Sequence, residues 1–89
     1  MSTAIINPTT SAATSSEVEV TDTPVTINLN GTADDIGLSM VEVQIKTSSG
    51  KWITDSVLMA SKPGYQIVAT GTYRARKPVS VVAFGVDRG

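Results

Sequence analysis

Val41-Glu42-Val43-Gln44-Ile45-Lys46, then Thr47-Ser48-Ser49-Gly50, then Lys51-Trp52-Ile53, is the stretch that decides the fold class. Val41, Val43 and Ile45 alternate with Glu42, Gln44 and Lys46, which is the period of a strand with one buried face. Four small polar residues ending in glycine supply turn chemistry, so the stretch predicts a β-hairpin. The same period runs upstream, where Val25, Ile27 and Leu29 alternate with Thr26, Asn28 and Asn30, and Val18 and Val20 alternate with Glu17 and Glu19. Thr23-Pro24 separates these two strands, and Asn30-Gly31 opens a loop that runs to about Leu38. Downstream, Thr54 to Ala60 fits an irregular strand, although Ile53, Val57 and Ala60 also match one face of a short helix. Lys62-Pro63-Gly64 ends that segment. Tyr65 to Thr70, Thr72 to Arg76 and Val79 to Val86 follow as strands, broken at Gly71 and at Lys77-Pro78.

Six or seven short antiparallel strands at this spacing predict an all-β chain, a small β-sandwich or alternatively a small barrel. The expected core is Val25, Ile27, Leu29, Val41, Val43, Ile45, Trp52, Ile67, Tyr73, Val81 and Ala83. Residues 1–16 stand apart, with eight Ser or Thr, three Ala and no charge. Such a composition buries too little apolar surface to offset the entropy of ordering, so it predicts a flexible, extended N-terminal arm ahead of a sandwich domain over 17–89. Ile5 and Ile6 are the arm's adhesive residues and candidates for docking it onto a partner.

Charge is distributed unevenly. Residues 1–45 hold six acids and no Lys or Arg, a side-chain charge of −6, while residues 46–89 hold seven cations against Asp55 and Asp87, a charge of +5. A polarised chain of this kind speaks to association. At 89 residues the domain is small enough for a partner or further copies of itself to contribute to its stability. The absence of Cys excludes disulfides, and the absence of His removes the commonest general base and metal ligand. No basic segment precedes the short apolar run Ile5-Ile6, so no signal peptide is expected. The apolar run around Val79 to Val86 is far shorter than the roughly 20 residues of a membrane helix, and a soluble chain is expected.

No catalytic residues are assigned, since Asp34 and Asp35 are adjacent turn residues and lack a partner base or a separated carboxylate. Nor is a metal or other cofactor, because Asn30, Asp34 and Asp35 fall short of the six to eight oxygens calcium prefers. Asn30-Gly31-Thr32 matches a glycosylation acceptor but reads more simply as an Asn-Gly turn. Arg74, Arg76 and Lys77 form the densest basic cluster, and period two puts Arg74 and Arg76 on one strand face. The net charge of −1 and the scarcity of aromatics argue against nucleic acid, so this stripe is expected to meet an acidic protein surface or to be a solvated face. Trp52 is either core or a contact platform.

Ala69-Thr70-Gly71-Thr72-Tyr73-Arg74-Ala75 has the Gly-x-Tyr spacing of the immunoglobulin tyrosine corner, with Ala69 where the usual Asp stands and Ala75 where the second Cys stands. The similarity implies an Ig-like sandwich without its disulfide. Across roughly residues 24–86, a Pro-Val-Thr-Ile strand, a Val-Glu-Val-Gln-Ile strand leading to Ser-Ser-Gly-Lys-Trp, then Gly71-Thr72-Tyr73-Arg74, Lys77-Pro78 and a closing Ala83-Phe84-Gly85-Val86 resemble small β-sandwich structural proteins of tailed-bacteriophage virions, such as head decoration or cement proteins. The resemblance implies a non-enzymatic virion component, often multimeric, assembled in the host cytoplasm and located on the capsid surface. Its implied partners are the major capsid protein, other virion proteins and further copies of itself. An alternative from another class is a carbohydrate-binding or adhesion module using Trp52, Tyr65 or Tyr73, although aromatics make up only 4% of the chain.

Overall fold

In the computed structural model, which describes residues 2–89, the chain forms nine strands and one short helix. The decisive hairpin joins β5 (Val41–Lys46) to β6 (Trp52–Leu58). Thr47 N–H donates to the Lys51 carbonyl at 2.6 Å, and Gly50 takes a φ of 83°, a left-handed conformation that favours glycine. The ambiguous segment after Ile53 is strand as far as Leu58. Its irregularity is a bulge at Asp55, because Val43 pairs Ser56 while Gln44 pairs Thr54.

The remaining elements are β1 (Thr3–Thr9), β2 (Ala13–Thr14), β3 (Val18–Val20), β4 (Val25–Asn30), α1 (Ala33–Ile36), β7 (Gly64–Ile67), β8 (Gly71–Lys77) and β9 (Phe84–Arg88). One antiparallel sheet has the order β1-β9-β4-β7. The other runs β2-β8-β5-β6, with β3 following β2 along the same edge of β8. The inward faces meet in a single core, with Ile27, Ile67, Phe84 and Val86 from the first sheet opposite Val18, Val41, Val43 and Tyr73 from the second. The all-β sandwich class is as expected, though with more strands. The Tyr73 hydroxyl donates to the Ala69 carbonyl at 3.0 Å, the bond that characterises a tyrosine corner. Strand order is less immunoglobulin-like. β8 and β9 lie in opposite sheets, whereas the immunoglobulin order pairs its last two strands within one.

Residues 2–16 are not a flexible arm in the structure, and Met1 lies outside the described residues. Thr3–Thr9 pairs with β9, and Ile6 is 6% exposed in the core. What holds this segment is backbone pairing together with one well-placed apolar residue, which composition does not reveal. Register shifts flank Ile6, and the second, between Ile6 and Thr9, accommodates Pro8, which has no N–H to give to a ladder. A Cβ on Gly85 would run into the Ile6 carbonyl and come within 2.9 Å of the Pro8 nitrogen, so glycine permits this close pairing. Between β2 and β3, Ser15 keeps β8 bonded: its N–H donates to the Ala75 carbonyl at 2.8 Å and its Oγ accepts from the Ala75 N–H at 2.9 Å.

The last strand also differs from expectation. β9 begins at Phe84, and 78–83 is the loop that carries the chain from one sheet to the other. Val81 and Ala83, expected in the core, are exposed; Ile45 and Trp52 are half-buried at its margin.

Candidate functional site

The loops 31–40, 59–63 and 78–83 gather at one end of the sandwich, and there the molecule leaves large apolar side chains uncovered. Loops 31–40 and 78–83 enclose an open groove of about 790 Å³. A second hollow of about 280 Å³ lies between 37–40 and 59–61, and Leu38 and Met40 belong to both. Leu38 is 99% exposed and Val81 98%, with Val79, Met40 and Val82 also open. Single exposed apolar residues are ordinary, but a contiguous set is the usual mark of a contact surface.

Local chemistry places each of these side chains. Thr32 caps α1 by accepting the Asp35 N–H at 3.2 Å, while Asp35 accepts the Thr32 N–H at 3.1 Å, a reciprocal capping box. Ile36 is buried and anchors the loop. Gly37, at a φ of 57°, ends the helix and turns the chain so that Leu38 points into solvent. Asp34 and Asp35 thus sit at the first turn of a four-residue helix, where they favour its N-terminus, and the chain uses Asp35 as a cap.

On the opposite wall, Ser80 is held inward. Its N–H donates to the Thr10 carbonyl at 2.9 Å, and its Oγ accepts from Lys77 Nζ at 2.9 Å and donates to the Val82 carbonyl at 2.8 Å. With Ser80 fixed, Val79 and Val81 on either side of it face out.

Lys77 is the residue that sequence reading misplaced. It is 1% exposed and continues the inward parity of Tyr73 and Ala75, whereas Arg74 and Arg76 point outward. The three cations therefore do not share a stripe. Lys77 Nζ reaches three uncharged oxygens, Ser80 Oγ, the Pro78 carbonyl at 3.1 Å and the Ser11 carbonyl at 3.5 Å, and lies 4.4 Å from the centroid of Phe84. Burial lowers its pKa from the ordinary lysine value of 10.5. The alternation that turned Ala75 inward was the signal that would have found it.

The other expected contact residues are engaged within the chain to different degrees. Ile6 is in the core and Ile5 packs against it half-buried, so neither is a free docking anchor in this structure. Arg74 Nε donates to Gln44 Oε1 at 2.7 Å, and its guanidinium lies 4.2 Å from the centroid of Trp52, covering one face of that ring. Arg76 is exposed, opposite Glu42 in register. Lys46 pairs Glu17 at 3.7 Å, and the Thr72 hydroxyl donates to Glu19. Two acids of the first half, Glu17 and Glu42, therefore lie beside cations of the second half along one sheet. At the β6–β7 corner the Tyr65 hydroxyl donates to Asp55 at 2.9 Å, and that bond, with burial and the Asp55 charge, raises the tyrosine's pKa.

Among the described residues there is no group of three or more His, Cys, Asp or Glu placed to hold a metal ion. Comparison of the chain with family models, with curated proteins and with solved structures finds no match.

Proposed function

We propose that this chain is a structural subunit of a tailed-bacteriophage virion that decorates or cements the capsid by protein–protein contact. The observation that carries the reading is the apolar end, where Leu38, Met40, Val79, Val81 and Val82 are exposed together on an otherwise well-satisfied small sandwich. A surface of this kind stabilises a complex through burial of roughly 25 cal/mol per Å² of apolar area. In this reading the partner is the major capsid protein or another virion protein, with many copies carried on one particle. The motif order described above, from the Val25 strand to Phe84-Gly85-Val86, supplies the virion context.

The alternative of a carbohydrate platform receives little support, because Trp52 already has a guanidinium stacked on it. The test is co-sedimentation of the purified chain with heads of the phage that carries its gene, prepared without it. Saturable binding by the wild type, lost in Leu38→Asp and Val81→Asp but kept in Arg76→Ala, is the expected result. Heads that take up none of the wild-type protein would end the proposal.

A further inference from the structure

The groove between 31–40 and 78–83 has one chemical asymmetry. Its walls are apolar, and the charged side chains that line it, Asp34 and Asp35, are both acidic. Asp35 is engaged by the Thr32 N–H, whereas Asp34 is exposed and makes no side-chain hydrogen bond among the described residues. The cations nearest along the chain are held elsewhere, Lys77 inside the fold and Arg76 on the outer sheet face opposite Glu42.

The far wall is built to stay in place. The Ser80 N–H to Thr10 bond ties 78–83 to the β1–β2 turn, the Lys77 to Ser80 bond ties it to the end of β8 and the Ser80 to Val82 bond holds it internally, so the valines are presented by a braced loop. Holding a ridge in its bound shape lowers the ordering entropy that association must otherwise overcome.

We infer that this groove is a preformed docking site for a partner segment that carries two or more apolar side chains beside a lysine or arginine, the apolar residues lying between Leu38 and Val81 and the cation against Asp34. The inference deepens the proposed function, since it rests on reading this end as a contact surface and adds the chemistry of what fits there. A second copy of the chain seated symmetrically on the same groove would bring acid against acid, which disfavours self-association here.

The test needs no knowledge of the natural partner. A random dodecapeptide display library is panned on the immobilised full chain, and binders are then measured in solution against variants. Enriched peptides should combine aliphatic or aromatic residues with a net positive charge, and should lose affinity about tenfold or more in Val81→Asp and in Leu38→Asp, as for central contact residues. Asp34→Lys should reject the basic binders and, when panned itself, select acidic ones. Lys77→Met, which releases the brace, should weaken binding and accelerate amide exchange at 79–82.

Enrichment of neutral or acidic peptides by the wild type would overturn the inference. So would binding indifferent to Leu38, Val81 and Asp34, or a concentration-dependent dimer that Val81→Asp dissociates. Failure on phage heads with success on peptides would remove the virion reading and leave the docking site standing.

Discussion

Val18-Glu19-Val20 and Val79-Ser80-Val81 share one pattern, apolar, polar, apolar, and meet opposite fates. In the first, both valines are 1% exposed in the core and Glu19 faces out to take the Thr72 hydroxyl. In the second, Ser80 is turned in and both valines face water. Alternation fixes that successive side chains point opposite ways; it does not fix which set is inside. For β3 the choice is made by pairing with β8, where Val18 lies opposite inward-facing Tyr73. For 79–81 no strand pairing exists, and the choice is made by Lys77 and Thr10 acting on Ser80.

The contrast can be broken most severely by giving both segments a charge. Val20→Asp should destabilise the fold by about 4 kcal/mol, since it buries an unpaired carboxylate. Val81→Asp should stay within about 0.5 kcal/mol of the wild type. Urea unfolding of the two variants measures both, and equal destabilisation would erase the distinction between a core face and a displayed one.

Removing the cause of the reversal is the next largest effect. Lys77→Ala takes away a buried side chain whose ammonium lies over Phe84 and should cost about 2 to 3 kcal/mol, as for other long side chains cut to alanine in a core. Lys77→Met keeps the volume and removes the buried charge, so its stability should lie within about 1 kcal/mol of the wild type. A smaller effect, of about 2 kcal/mol, is expected for Gly85→Ala, because the new Cβ must push Ile6 and Pro8 away from the strand that ends the valine loop. Amide exchange in that variant should rise in Thr3–Thr9 before it rises in Val18–Val20.

The mildest change comes from pH. The Lys77 ammonium titrates below 10.5 in the folded protein, so as alkali is added the folded state releases this proton first and stability gains from it up to the unfolded value. Tyr65 and Tyr73 act in the other direction, because their pKa values are raised above 10.0 and their contribution is lost as pH climbs through the folded values. The difference in stability between wild type and Lys77→Met cancels the tyrosines. It should move in favour of the wild type as pH approaches 10.5, and a flat difference would show that Lys77 is solvated.

The same contrast explains what could be read from residues alone. Val25–Asn30 and Val41–Lys46 were legible because each carries alternating large apolar residues on a strand held by neighbours on both sides, and Gly71–Lys77 was legible from the breaks at Gly71 and Lys77-Pro78 that bound it. Thr3–Thr9 was not, because its place depends on β9 at the other end of the chain and on the room left by Gly85. Of the exposed apolar end, the chain announced only the turn residues Asn30-Gly31 and Lys77-Pro78. That Leu38 and Val81 stand uncovered depends on how the loops sit above the core, a property no local period encodes. Lys77 was legible in parity and hidden by its chemistry, since lysine is seldom buried without a charged partner.

The pairing of β1 with β9 also bears on how the protein is made. Thr3 lies opposite Arg88, so β1 has no strand to join until β9, far along the chain, has been made. Until then Ile6 has no seat, and the β9 side of β4 is an open edge. Contacts of this range slow folding relative to local ones, and a new chain passes through a stage in which β1 and β4 both wait for β9.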